Sequence, residues 1–131
     1  MAEPKPRVFE FAASYDGAGR ITAKDETATV PETWAPEHLV LGGLVDCSLT
    51  SLRYHAKRAG VEDVTAHGEA FGTVTRRDSD GRFAFVDIEV KLTVKLTPPP
   101  DDIPALLANA ERDCFVGASL TAKPRYHWEV T

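Results

Sequence analysis

Two thiols are the most reactive groups in this sequence. Cys47 lies in the stretch PEHLVLGGLVDCSLTSLRYHAKRAG, residues 36–60, and Cys114 follows a second helical segment downstream. The chain has no other cysteine, and a pair with nothing to spare invites redox chemistry. The ordinary expectation for a thiol in an apolar helix is inert packing. Its neighbours argue otherwise. Gly42 and Gly43 stand one turn before Cys47, at a helix-stability cost of about 1 kcal/mol each relative to alanine. A glycine four residues back clears a side chain from beside the sulfur and leaves room for a ligand or another backbone. Ser48, Thr50 and Ser51 surround the thiol with hydroxyls, and Asp46 precedes it.

Other chemistries fit these residues less well. His38, His55, His67 and His127 could join the cysteines around zinc, but no C-x-x-C or H-x-x-x-H spacing occurs. A cysteine hydrolase needs a histidine base at the sulfur. His55 lies further along the helix, roughly 12 Å from Cys47.

The element that must position Cys47 is a helix over 36–60. Pro36 suits a first helical position, and Glu37 places a carboxylate beside the positive end of the helix dipole. Leu41, Leu44, Val45, Leu49 and Leu52 recur at three- and four-residue spacings, with Val40 widening the apolar surface. Lys57 and Arg58 put cations in the last turn, and Gly60 stands ready as the cap.

Upstream, alternation at Phe9, Phe11, Ala13 and Tyr15 predicts a strand over 7–15. Asp16-Gly17-Ala18-Gly19 predicts a turn, with Arg20 opening the returning strand and another short strand over 27–30. Residues 61–97 hold the clearest pattern. Val64, Ala66, Gly68, Ala70, Gly72 and Val74 alternate with polar neighbours, as do Ala84, Val86, Ile88, Val90, Leu92, Val94 and Leu96. This predicts a long antiparallel hairpin with one buried face. The small residues of its first arm would let a helix approach closely, and the glycine pair makes the 36–60 helix the candidate. Pro98-Pro99-Pro100 ends the second arm, and Asp101 or Asp102 caps a second helix with Ile103, Leu106, Leu107 and Ala110 inward. That helix runs out near Asp113. A closing strand is expected over 119–130, with Tyr126 and Trp128 on one face and Pro124 marking an edge or an irregularity.

These elements describe an α+β chain, and 131 residues suit a single domain spanning 1–131. The formal charge of −5 and the lack of a basic run argue against nucleic acid as a partner. No apolar segment approaches the ~20 residues that span a bilayer, since Asp46, Arg53 and His55 interrupt the central helix, so no membrane partner is expected. The opening MAEPKPRVFEF lacks an apolar signal core, which makes the cytoplasm the expected location. There a two-cysteine pair is more often catalytic than a structural staple.

With P-E-x-L leading into the helix and Glu37 ten residues before Cys47, the chain resembles the osmotically inducible protein C / organic hydroperoxide resistance family of thiol peroxidases. Arg20, just after a glycine-containing turn, matches that family's catalytic arginine, and Cys114 falls where the family has its second cysteine. The resemblance covers essentially the whole chain. It departs at Phe115-Val116-Gly117, where the family usually has a proline after the cysteine, and at Asp46, which replaces a small residue.

The resemblance implies an OsmC-like fold of antiparallel sheets around a central buried helix, in an intertwined homodimer with active sites at the subunit interface. A helix too apolar for one small domain to enclose agrees with that. It further implies a catalytic set of Cys47, Cys114, Arg20 and Glu37. Arg20 would hold Cys47 as the thiolate, Glu37 would orient Arg20, and Cys114 would close a Cys47–Cys114 disulfide. The substrate would be an organic hydroperoxide whose alkyl end enters an apolar pocket. No metal or flavin is needed, and a dithiol such as a dihydrolipoyl group on a lipoylated protein would be the reductant.

Two geometric points follow from the helix. Glu37 and Cys47 are separated by about 15 Å along a straight axis. Glu37 must therefore act through a bend at Gly42-Gly43, at the partner subunit's cysteine, or through Arg20. Successive helix positions diverge by about 100°, so Asp46 points away from Cys47, towards Arg53, Lys57 or the other subunit. Gly117 gives the segment after Cys114 freedom to rearrange. The competing reading is non-enzymatic: an OsmC-like dimer that binds a small apolar ligand, its cysteines vestigial.

Overall fold

The computed structural model describes residues 5–131. It divides into two compact units, one reaching to Ala35 and the other comprising Pro36–Thr131.

The first unit is a three-stranded antiparallel meander of β1 (Ser14–Tyr15), β2 (Arg20–Ala23) and β3 (Glu26–Thr29). Asp16 Oδ1 accepts from the backbone N–H of Ala18 and Arg20 at 2.7 and 3.1 Å, which closes the expected turn. Lys24 and Asp25, at φ 51° and 62°, make the second turn without a glycine to announce it. The expected strand over 7–15 shortens to Ser14–Tyr15. A strand needs a neighbour's backbone, and β2 turns away at Lys24 before it can pair with anything ahead of Ser14. Phe9 and Phe11 thus stay exposed.

In the second unit, α1 spans Pro36–Arg58 and runs unbroken through Gly42-Gly43. It ends where the sequence indicates. Gly60 takes φ 86°, its N–H donates to Lys57 O, and Val61 N–H donates to Ala56 O at 3.0 Å. That reciprocal pair is a Schellman cap, and the buried Val61 seals it. The buried stripe of α1 is Leu44, Ser48, Leu49, Ser51, Leu52 and Ala56, at helical spacing. Its other side is open in the single chain, where Leu39 and Val40 are exposed.

The sheet has the order β4-β5-β6, formed by Asp63–Arg76, Phe83–Thr97 and Arg125–Val130. β4 and β5 are the expected hairpin, in register from Asp63↔Thr97 to a bulge near Thr73 that leaves Val86 unpaired. The bulge explains why Val86 leaves the buried alternation that Ile88, Val90, Leu92, Val94 and Leu96 keep. β6 adds to β5 in parallel, Val90 facing Tyr126 and Leu92 facing Trp128, so the sheet is mixed rather than purely antiparallel. The closing strand begins only after Pro124, at the sheet edge.

Two short helices complete the unit. Asp102 caps α2 (Ile103–Arg112) by accepting from Ala105 N–H at 3.0 Å. α3 (Phe115–Ser119) is a single turn that the sequence reading passes over, being too short to show a period. The helix approaches the small-residue arm of the hairpin as expected, but not through its glycines. A methyl on Gly42 or Gly43 would meet nothing within 4 Å, whereas one on Gly72 would stand 3.3 Å from Leu41 Cδ2.

Candidate active site around Cys47

Cys47 sits half-buried at mid-α1, and Cys114 is fully buried as the N-cap of α3. Both thiols are free. The turn at the start of α3 serves each of them. Val116 N–H donates to Cys47 Sγ at 3.5 Å, and Gly117 N–H donates to Cys114 Sγ at 3.4 Å. The two sulfurs are thereby held near one another, on the N–H groups of adjacent residues. Residues far apart in sequence therefore share one short stretch of backbone, and that stretch brings the second sulfur to the first.

Burial pushes the Cys47 thiol up from its ordinary pKa; the N–H groups of Val116 and Phe115 oppose this, and the neighbouring Cys114 adds to it. The balance disfavours the thiolate. Asp46 is exposed and is not among the groups acting on Cys47, in line with its divergence on the helix.

Gly117, which the sequence suggests as a point of freedom, is closely surrounded. It is buried within α3, where an added methyl would stand 3.3 Å from the Tyr126 hydroxyl, 3.4 Å from Cys114 Sγ and 3.6 Å from Leu44 Cδ1. A methyl there would fit closely, with the Tyr126 hydroxyl giving by a few tenths of an ångström. Ser48 and Tyr126 also line this region. Ser48 Oγ contacts Tyr126 OH at 3.1 Å and Cys114 Sγ at 3.6 Å. The sequence reading noticed Ser48 only as a neighbour of the thiol, and Tyr126 only as one face of a strand. A signal for Ser48 was present: it shares the spacing of Leu44 and Leu52, which makes it a buried hydroxyl in need of a partner.

Arg20 opens β2 in the first unit and is exposed, its backbone N–H held by Asp16. Glu37 is exposed in the first turn of α1, about 15 Å along the axis from Cys47. The fold thus brings Cys47 and Cys114 together and leaves Glu37 at the far end of the same helix. His55 bonds Asp113 at 2.7 Å.

The sequence profile of the OsmC-like protein family matches residues 29–129. The chain belongs to the OsmC-like family. Solved structures agree on the fold. An organic hydroperoxide resistance protein OsmC from Legionella pneumophila superposes with a TM-score of 0.62 at 17% identity, covering 96% of this chain and 99% of the other. The organic hydroperoxide resistance protein OhrB of Bacillus subtilis gives 0.57 at 21% identity, over 93% and 96% of the two chains. An OsmC-like protein from Mycoplasma pneumoniae gives 0.66 at 14%, over 97% and 98%. No functionally curated sequence matches the chain. Among the described residues, no helix of this OsmC-like protein is long and apolar enough to cross a membrane.

Proposed function

We propose that this OsmC-like protein is a thiol-dependent peroxidase that reduces organic hydroperoxides to alcohols. The observation that supports it most is the meeting of Cys47 and Cys114 on the α3 turn. Cys47 Sγ attacks the peroxide, forming an S–O bond as the O–O bond breaks; the alkoxide takes a proton and leaves as the alcohol. Cys47 is then a sulfenic acid. Cys114 Sγ attacks it, the S–S bond forms, the S–O bond breaks and water leaves. A dithiol, such as a dihydrolipoyl group on a lipoylated protein, restores both thiols by exchange. None of these steps calls for a metal or flavin, and a reducing cytoplasm would supply the dithiol.

The raised Cys47 thiol is what this chemistry must overcome. A guanidinium can hold the thiolate without itself losing a proton, which is the role proposed for Arg20, with Glu37 orienting it as a carboxylate partner. Arg20→Ala should then slow alkylation of Cys47 by iodoacetamide roughly tenfold near neutral pH. The alkylation profile should move to higher pH, since removing the cation disfavours the charged form. Identical profiles for the two proteins would return Arg20 to the solvated surface.

A homodimer completes the reading. The open side of α1 with Leu39, Val40 and the glycine pair offers the surface, and a partner subunit would let Glu37 serve the other subunit's site. Light scattering at micromolar concentration should give about twice the 14.3 kDa chain mass. A folded monomer would remove the shared site.

The deciding assay is peroxide consumption with a chemical dithiol, cumene hydroperoxide against hydrogen peroxide. Faster turnover of the organic peroxide is expected, because an apolar pocket would favour its alkyl end. Thiols that stay free in the presence of either peroxide would leave a non-enzymatic binder of apolar ligands in its place.

A further inference from the structure

We propose that Ser48 and Tyr126 position Cys114, holding its thiol proton on buried hydroxyl oxygens so that Cys114 Sγ can act as the second nucleophile against Cys47. This rests on the two-cysteine cycle proposed above, and deepens it by naming what prepares the buried sulfur.

Hydrogen counting gives the arrangement. Ser48 is 1% exposed, and its Oγ has three partners: Leu44 O at 2.8 Å, Tyr126 OH at 3.1 Å and Cys114 Sγ at 3.6 Å. A serine hydroxyl has one proton, and a carbonyl can only accept, so that proton goes to Leu44 O. The other two contacts must then be received. Tyr126 O–H donates to Ser48 Oγ, and Cys114 S–H is aimed at the same oxygen. Cys114 Sγ in turn accepts from Gly117 N–H at 3.4 Å. With its proton and one lone pair committed inward, the sulfur has its remaining lone pair for Cys47, which is held on the next N–H of the same turn.

The supporting structure fixes the phenol. Tyr126 stacks on Trp128 at 5.9 Å between ring centroids and 9° between planes, and Trp128 Nε1 donates to Glu111 Oε2 at 3.2 Å. The Tyr126 hydroxyl and Cys114 Sγ both contact Ser48 Oγ. Gly117 leaves open the space in which these groups meet, since a side chain there would crowd Tyr126 OH, Cys114 Sγ and Leu44 together.

Cys114 needs such dipoles because it is 0% exposed and water does not solvate it. In its attack, the S–S bond to Cys47 forms and the leaving group departs with the electron pair of the bond that breaks. Negative charge builds on Cys114 Sγ just before that. Gly117 N–H already points at it, and rotation about the Cβ–Oγ bond turns the Ser48 proton from Leu44 O to the sulfur. In a buried site such dipoles act with little screening.

The test separates this step from peroxide chemistry by using an aromatic disulfide, dithiobis(nitrobenzoate). Cys47 attacks it and releases one thionitrobenzoate, leaving a mixed disulfide. Cys114 then attacks Cys47 Sγ, the S–S bond to the aromatic group breaks, and a second thionitrobenzoate leaves, taking up the Cys114 proton as it departs and releasing it in solvent. Wild-type protein should show both phases of release by stopped-flow absorbance. Ser48→Ala and Tyr126→Phe should keep the first phase within about twofold and slow the second about tenfold or more, the worth of one hydrogen bond to a developing charge. Ser48→Thr, which restores the hydroxyl, should recover the second phase. A second phase unchanged in both variants, both phases slowed alike, or no second phase in the wild type would each overturn the assignment. A wild type that releases both groups but forms no disulfide with cumene hydroperoxide would leave this assignment standing and sink the peroxidase reading alone.

Discussion

Replacing Cys47 by serine should abolish hydroperoxide reduction, while replacing Cys114 by serine should leave one turnover and then a stall. The two outcomes differ because the two sulfurs differ in place. Cys47 is half-buried and carries the first attack in the proposed cycle; a serine hydroxyl there is far too weak a nucleophile towards an O–O bond. Cys114 is sealed inside and meets the oxidant only through Cys47. Without it the sulfenic acid persists, and further peroxide takes it to the sulfinic acid. Mass mapping after one equivalent of cumene hydroperoxide should find an intrachain Cys47–Cys114 bond in the wild type. In Cys114→Ser it should find Cys47 with one or two added oxygens. Turnover by Cys47→Ser at the wild-type rate would show that the chemistry lies elsewhere.

The largest effect on stability is expected at Gly68. This glycine faces Leu92 across the hairpin, and Leu92 lies in the buried row of β5. A methyl at Gly68 would stand 2.7 Å from the Lys91 carbonyl oxygen and collide with the Leu92 side chain. Leu92 might be thought able to rotate away, but it is 1% exposed, and the carbonyl belongs to a hydrogen-bonded strand. Gly68→Ala should therefore cost about 2–3 kcal/mol, the usual range for overpacking a filled site. That is a sizeable part of the stability of a domain this size. Gly72→Ala is the informative comparison. Its nearest neighbours are ring atoms of Phe85 at 2.5 and 2.8 Å, and that side chain, beside the bulge, is only partly buried. It should cost less. Chemical denaturation of the two variants settles the order, and equal losses would mean that the Lys91 backbone yields as easily as the Phe85 ring.

Much of the fold lies open in the sequence because it depends on local rules. The Pro36 start and Gly60 stop of α1, the Asp102 cap of α2 and the alternation of β5 each follow from a few neighbouring residues, and each stands where those residues put it. Family membership is legible in the same way, from Arg20, Glu37, Cys47 and Cys114 in order. Local rules fail where pairing decides. The alternation at Phe9, Phe11 and Ala13 asks for a strand, but the pairing of β1 with β2 reaches back only to Ser14. The parallel addition of β6 and the bulge that ejects Val86 depend on which strand lies alongside. The site is divided in the same manner. Sequence alone marks Cys47 and Cys114 as the reactive pair by their scarcity and their setting. Only tertiary structure decides that one turn of backbone at α3 serves both sulfurs, and that Gly117 lies beside the Tyr126 hydroxyl and Cys114 Sγ. It alone makes Ser48 a neighbour of Tyr126, because α1 and β6 meet through packing, and a side chain's spacing along its own element cannot say what the next element will place against it.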